Sequence, residues 1–140
     1  MKSIQIEKFG GPEVLIIKDV EVLKPGPKEV LIKNQSIGLN FIDIYHRTGL
    51  YPIPLPSGIG LEACGLIEEI GSEVNLFKVG DRVTHASMPI GAYSEKQIMP
   101  EDKLILVPEG ISDEVASCIT LKGITAEYLL HRAYPLKKGD

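Results

Sequence analysis

Glycine and proline cut this chain into short apolar runs, and that punctuation constrains the fold more than any other feature. The 14 glycines and 10 prolines among 140 residues separate strand-like segments and do not form a low-complexity tract, which favours a turn-rich β domain over disorder. Residues 2–8 and 13–20 read as two strands joined by the Gly10-Gly11-Pro12 turn. Lys24-Pro25-Gly26-Pro27 is a second turn, followed by a longer strand over residues 29–37. Residues 60–70, 81–85, 92–99 and 103–107 are the remaining strand candidates. Many short strands with glycine turns at this spacing imply a mainly β, α+β domain built on a partly open antiparallel barrel.

Two regions break the strand pattern. Residues 41–47 have helical spacing, with Phe41, Ile44 and Tyr45 on one side, and Thr48-Gly49 ends the helix. Tyr51-Pro52-Ile53-Pro54-Leu55-Pro56 lacks an amide donor at every second residue, so it is expected as a rigid exposed loop that fixes where Tyr51 points. From Ser112 the pattern changes again: Ser112-Asp113-Glu114-Val115 offers a helix cap. Residues 118–131 read as helical, with Leu121, Thr125, Tyr128 and Leu129 near one stripe, until Tyr134-Pro135 stops them. The expected division is a β-rich domain over residues 1–111 and a helical connector over residues 112–140.

A chain of this length suits one domain and can bury roughly 70% of the surface its unfolded form exposes. Its 44% hydrophobic and 24% charged residues are ordinary for a globular protein. The net charge of −4, with no Lys/Arg cluster, argues against nucleic-acid binding. No apolar run approaches a membrane span, and the N-terminus alternates in polarity without the apolar centre of a signal peptide. Cys64 and Cys118 lie far apart in apolar settings and read as reduced core thiols. The expected location is the cytoplasm.

Chemistry concentrates in Gly38-Leu39-Asn40-Phe41-Ile42-Asp43-Ile44-Tyr45 and the following Thr48-Gly49-Leu50-Tyr51-Pro52. One amide and two phenols crowd a glycine-bounded turn, with no strong base beside them. Uncharged donors can orient and polarise a carbonyl oxygen, which suits reduction of a carbonyl or quinone by a cofactor that brings its own hydride. The same residues also fit a loop and short helix whose aromatics simply pack. Elsewhere, His46, His85 and His131 show no metal or triad spacing, and Ser57 lacks the flanks of a nucleophile elbow. Asp81 in Gly80-Asp81-Arg82 is read as capping its own turn.

Gly38 to Asp43 and Arg47-Thr48-Gly49-Leu50-Tyr51-Pro52 resemble the quinone oxidoreductase (zeta-crystallin-like) branch of the medium-chain dehydrogenase/reductase superfamily. Further matching motifs follow in the family's order: Gly10-Gly11-Pro12-Glu13-Val14-Leu15, Gly60-Leu61-Glu62-Ala63-Cys64-Gly65, Val79-Gly80-Asp81-Arg82-Val83, Gly91-Ala92-Tyr93 and Leu121-Lys122-Gly123-Ile124-Thr125-Ala126. The resemblance implies a GroES-like catalytic domain with its outgoing helices and without the Rossmann domain, since no G-x-G-x-x-G loop follows Leu136-Lys137-Lys138-Gly139-Asp140.

It also implies NADPH as cofactor, a quinone or activated carbonyl as acceptor, a homodimer for the intact enzyme, and a separate Rossmann-domain polypeptide as a conceivable partner. The resemblance places Asn40, Tyr45 and Tyr51 as the groups that orient the acceptor. It places Phe41, Ile42, Asp43, Ile44 and Tyr45 along the nicotinamide end of the cofactor, with Tyr128 as a further contact and Thr125 one turn before it. Zinc-dependent relatives carry cysteine where Asn40 stands and histidine where Leu61 stands. Asparagine and leucine do not bind Zn²⁺, no C-x-x-C occurs, and no metal site is expected. Asp43 is expected to serve mainly as a hydrogen-bonding group at the helix start, and Glu62 is assigned no catalysis. A rival reading is a non-catalytic remnant or binding module that keeps only the barrel.

Overall fold

The computed structural model describes residues 1–139. Its strands are β1 (Lys2–Ile6), β2 (Ile16–Asp19), β3 (Glu29–Gly38), β4 (Ser57–Gly58), β5 (Glu62–Ile70), β6 (Arg82–Ala86), β7 (Lys96–Pro100) and β8 (Ile105–Leu106). They form a three-stranded sheet in the order β2-β1-β4 and a five-stranded sheet in the order β7-β3-β5-β6-β8. Every pairing is antiparallel. An isolated bridge between Ser3 of β1 and Ser94, just ahead of β7, ties the two sheets together, with the Ile4 amide on the Tyr93 carbonyl at 2.8 Å and the Glu95 amide on the Lys2 carbonyl at 3.0 Å. The described strands thus make an open antiparallel assembly, not a closed barrel.

Runs of buried residues in β3 (Val30 to Ile32) and β5 (Glu62 to Gly65) put these two strands at the centre of the fold. Val30 and Ile32 of β3, Ile67 of β5, Val83 of β6 and Met99 of β7 meet in one core, with Val74, Phe77 and Leu104 packed against it. Ile6, Val14 and Ile59 form a second cluster beneath the smaller sheet. The outward strand positions are mixed: Lys33 and Gln35 are exposed, but so are Ile17, Ile37, Leu66 and Leu106.

Several strands are shorter than their sequence suggests. Pro12–Val14 winds into a 3₁₀ turn, so β2 starts at Ile16 and not at residue 13. Glu101–Lys103 does the same ahead of β8. Residues 92 and 93 leave β7 because their amides bond to Gly60 and Ile59 at 3.1 and 2.9 Å, which draws that segment over the start of β5.

The two helices position the candidate site. Helix α1 (Phe41–Thr48) begins at Asn40, with the Asp43 carboxylate accepting from the Asn40 backbone N–H at 2.9 Å, and ends at Gly49 in the left-handed region, φ 81°. The expected apolar side, Phe41 with Ile44 and Tyr45, is not the buried one. Asp43 and His46 are buried, Ile44 and Tyr45 are half-buried, and Phe41 is 76% exposed.

Helix α2 (Asp113–Glu127) starts where Ser112 predicts, its hydroxyl accepting from the Val115 amide at 3.3 Å. The Arg82 guanidinium holds this end by bonding the carbonyls of Pro108 and Ile111 at 2.9 and 2.7 Å, and it pairs with Asp113 at 3.4 Å. The helix lies on β3, β5 and β6 through small residues, Ala116, Ser117 and Thr120. The larger side chains of the anticipated stripe face outward or lie half-buried, and Tyr128–Ala133 continues as π-helical turns. Among the described residues no helix is long and apolar enough to cross a membrane.

Candidate active site

Asn40 is 7% exposed and occupies the turn between β3 and α1. Its Nδ2 donates to Glu62 Oε2 at 2.8 Å, and its Oδ1 accepts from Lys122 Nζ, also at 2.8 Å. Glu62, at the first position of β5, is fully buried. Its other oxygen accepts from the Leu121 backbone N–H at 2.8 Å, and Lys122 Nζ lies 3.8 Å from Oε2. A buried carboxylate is tolerable only when its lone pairs meet donors; two donors bond this one, and the ammonium stands at ion-pair distance.

Room for this arrangement comes from Gly38. A Cβ there would stand 2.0 Å from the Ser117 carbonyl oxygen and 2.6 Å from Glu62 Oε2. Only glycine allows β3 to pass this close to α2 with the Glu62 carboxylate between them.

Asp43 is turned inward. Beyond the Asn40 amide, its Oδ2 accepts from the Tyr93 hydroxyl at 2.8 Å. Burial, followed by the Asp43 carboxylate, pushes the Tyr93 phenol above its ordinary pKa, so it remains a donor. Asp43 therefore holds the start of α1, in keeping with its expected structural role.

Tyr45 and Tyr51 meet edge to face, with ring centroids 5.3 Å apart, and the Tyr51 amide donates to the Tyr45 carbonyl at 3.1 Å. Such a pair contributes roughly 0.5–1.5 kcal/mol beyond its buried area. The proline loop accordingly sets Tyr51 against α1, although Tyr51 itself is 51% exposed. Tyr128 stands on the exposed end of the outgoing helix, and the Thr125 hydroxyl one turn earlier donates back to the Leu121 carbonyl at 2.8 Å.

Sequence reasoning missed the partners that orient Asn40. Glu62 received no role, and Lys122 and Tyr93 entered only as parts of motifs. A buried glutamate beginning a strand was the available signal, but its partners lie 22 and 59 positions away along the chain. Among the described residues no group of three or more His, Cys, Asp or Glu side chains converges as a metal site would.

Both cysteines are free, but only one belongs to the core. Cys64 is buried and donates to Asp113 Oδ1 at 3.3 Å, and burial, reinforced by that bond, raises its thiol to about 12. Cys118 is exposed, contrary to expectation, because the α2 face that packs down is the one carrying Ser117.

The same architecture recurs in known proteins. The alcohol dehydrogenase GroES-like domain family matches residues 26–136. A quinone oxidoreductase of Pseudomonas aeruginosa is 53% identical over 140 residues, covering 99% of this chain and 43% of that protein. A 2-haloacrylate reductase of a Burkholderia species is 44% identical over 142 residues, covering 96% and 42%. The crystal structure of Escherichia coli quinone oxidoreductase complexed with NADPH superposes with a TM-score of 0.95 at 44% identity, covering 98% of this chain and 42% of that one. The chain thus spans a little over two-fifths of the length of these relatives. With its two antiparallel sheets and matching motifs throughout, it belongs to the alcohol dehydrogenase GroES-like domain family, where it is similar to the quinone oxidoreductases.

Proposed function

We propose that this chain is the catalytic-domain portion of a zinc-independent, NADPH-dependent quinone oxidoreductase, acting on a quinone or an activated carbonyl. The observation that carries this reading is similarity to a quinone oxidoreductase along 99% of the chain at 53% identity. The site chemistry agrees with it. Neutral donors on Asn40, Tyr45 and Tyr51 suit an acceptor oxygen that gains negative charge as it is reduced. The positions that would carry zinc ligands hold Asn40 and Leu61, which supports metal-free polarisation of that oxygen.

The residues beside Asn40 fit the uncharged nicotinamide end of the cofactor. Leu39 and Phe41 present apolar surface, 74% and 76% exposed, next to the amide donor. In this reading Phe41, Ile42, Ile44 and Tyr45 line the nicotinamide, Tyr128 adds a contact from the outgoing helix, and Asp43 fixes the start of α1. NADPH, when bound, supplies the hydride. Asn40 and the two tyrosines orient the acceptor and donate hydrogen bonds to its oxygen. Tight nucleotide binding requires a dinucleotide fold for the adenine, ribose and pyrophosphate, so residues 1–140 alone are expected to bind NADPH weakly and to lack useful activity. The intact enzyme is taken to be a cytoplasmic homodimer whose Rossmann domain is on the same or a separate polypeptide.

NADPH oxidation by the intact enzyme, followed spectrophotometrically with 1,4-benzoquinone, tests this reading. Quinone-dependent oxidation with preference for NADPH over NADH is expected. An intact protein that oxidises neither nucleotide with any quinone would support the rival, a non-catalytic binding module that keeps the sheets without the chemistry.

A further inference from the structure

We propose that Lys122 is a positioning residue of this site: with Glu62 it locks the Asn40 amide in one orientation. The inference rests on the quinone-reductase reading for its consequence and on the geometry alone for the lock.

An asparagine amide is nearly symmetric in shape but opposite in polarity at its two ends. Its neighbours therefore decide which end points where. Here one end faces the Lys122 ammonium at 2.8 Å and the other faces the Glu62 carboxylate at 2.8 Å. Lysine can only donate and an ionised carboxylate can only accept. With Oδ1 against Lys122 and Nδ2 against Glu62, both bonds form, and both are charge-assisted. In the flipped amide, N–H would face an ammonium and C=O would face a carboxylate, so both bonds would become repulsions.

Each member of the lock is itself held. Glu62 is fully buried and anchored by the Leu121 amide at 2.8 Å. The absent side chain of Gly38 leaves its carboxylate the space it occupies. Lys122 is the exposed member: its side chain, 61% exposed, reaches Asn40 from α2. The consequence is specific. With Oδ1 bound to Lys122 and one Nδ2 hydrogen bound to Glu62, the second Nδ2 hydrogen is left to donate. Asn40 thus offers a reduced acceptor oxygen a fixed donor. Without Lys122, the amide keeps its Glu62 bond and the capping contact from the Asp43 backbone N–H but loses its charged anchor, and it samples orientations that withdraw this donor.

The intact enzyme should be compared with Lys122→Met and Lys122→Arg, reading NADPH–benzoquinone kinetics together with the Asn40 side-chain amide signal in asparagine-selectively ¹⁵N-labelled protein. Lys122→Met is expected to lower kcat about tenfold with the KM for NADPH within about twofold, and to shift and broaden the Asn40 amide pair. Lys122→Arg, which keeps a cationic donor, is expected to restore most of both. Because Lys122 is largely exposed, the variants should fold, and an unchanged set of other asparagine signals checks this. Wild-type kcat in Lys122→Met, or an unmoved Asn40 signal, would overturn the proposal. If the parent enzyme reduces no quinone, the functional reading fails, and the amide signal still decides whether the lock exists.

Discussion

At His85, β6 carries an imidazole into the interior, 1% exposed, with neither ring nitrogen in hydrogen-bond geometry. Desolvation lowers its pKa from 6.5 to about 4, and the Leu61 backbone offsets only part of that. Because the folded-state pKa lies below the unfolded one, the unfolded chain takes up the proton first. The stability this group contributes is present above about pH 6.5 and is lost as pH falls toward 4. The shift corresponds to roughly 3 kcal/mol. Urea unfolding of the protein should weaken between pH 7 and pH 4 by more than in His85→Leu, and identical pH slopes would refute the assignment. The cysteines make a second residue-level contrast. Iodoacetamide at pH 8 should modify Cys118 and spare Cys64, whose thiol is buried and raised. Mass spectrometry showing label on Cys64 in the folded state would contradict its placement.

At the scale of elements, the approach of β3 to α2 depends on Gly38, where a methyl group would meet a backbone carbonyl at 2.0 Å. Gly38→Ala should destabilise the fold by about 1–3 kcal/mol, measured as a fall in denaturation midpoint, and disturb Asn40 through Glu62. A variant of unchanged stability would mean that the helix can retreat without cost. What could be read in advance follows from range along the chain. The start of α1, its stop at Gly49, the Ser112 cap and the Asp81 turn, where the Lys78 amide donates to the carboxylate at 2.9 Å, are local devices and were legible. The lock on Asn40 was not, because Lys122 lies 82 positions from it. The buried face of α2 was also missed. A search for large apolar residues passes over Ala116, Ser117 and Thr120, whose small size permits close packing on the sheet. Polar burial on α1, at Asp43 and His46, defeats the apolar-periodicity rule in the same way.

At the scale of the whole molecule, the outgoing segment bares Ile119, Ile124, Tyr128, Leu129 and Tyr134, each between 47% and 65% exposed. The chain spans 43% of its Pseudomonas relative, and a patch of this kind normally meets a partner surface. Residues 1–140 are accordingly expected to self-associate at high concentration, and to become monodisperse on mixing with a matching dinucleotide-binding polypeptide. Sedimentation showing an unassociated monomer indifferent to that polypeptide would count against the interface. The proposed role of the hydrogen-bond donors is to do here what zinc does in metal-dependent relatives. It is tested most directly by kcat for NADPH-dependent quinone reduction in the exhaustively chelated intact enzyme, parent against Tyr45→Phe. Full activity in the chelated parent and a roughly tenfold or greater loss in kcat for Tyr45→Phe, with nucleotide affinity unchanged, is the expected result. Activity that disappears with the metal, or a Tyr45→Phe enzyme as fast as its parent, would contradict it.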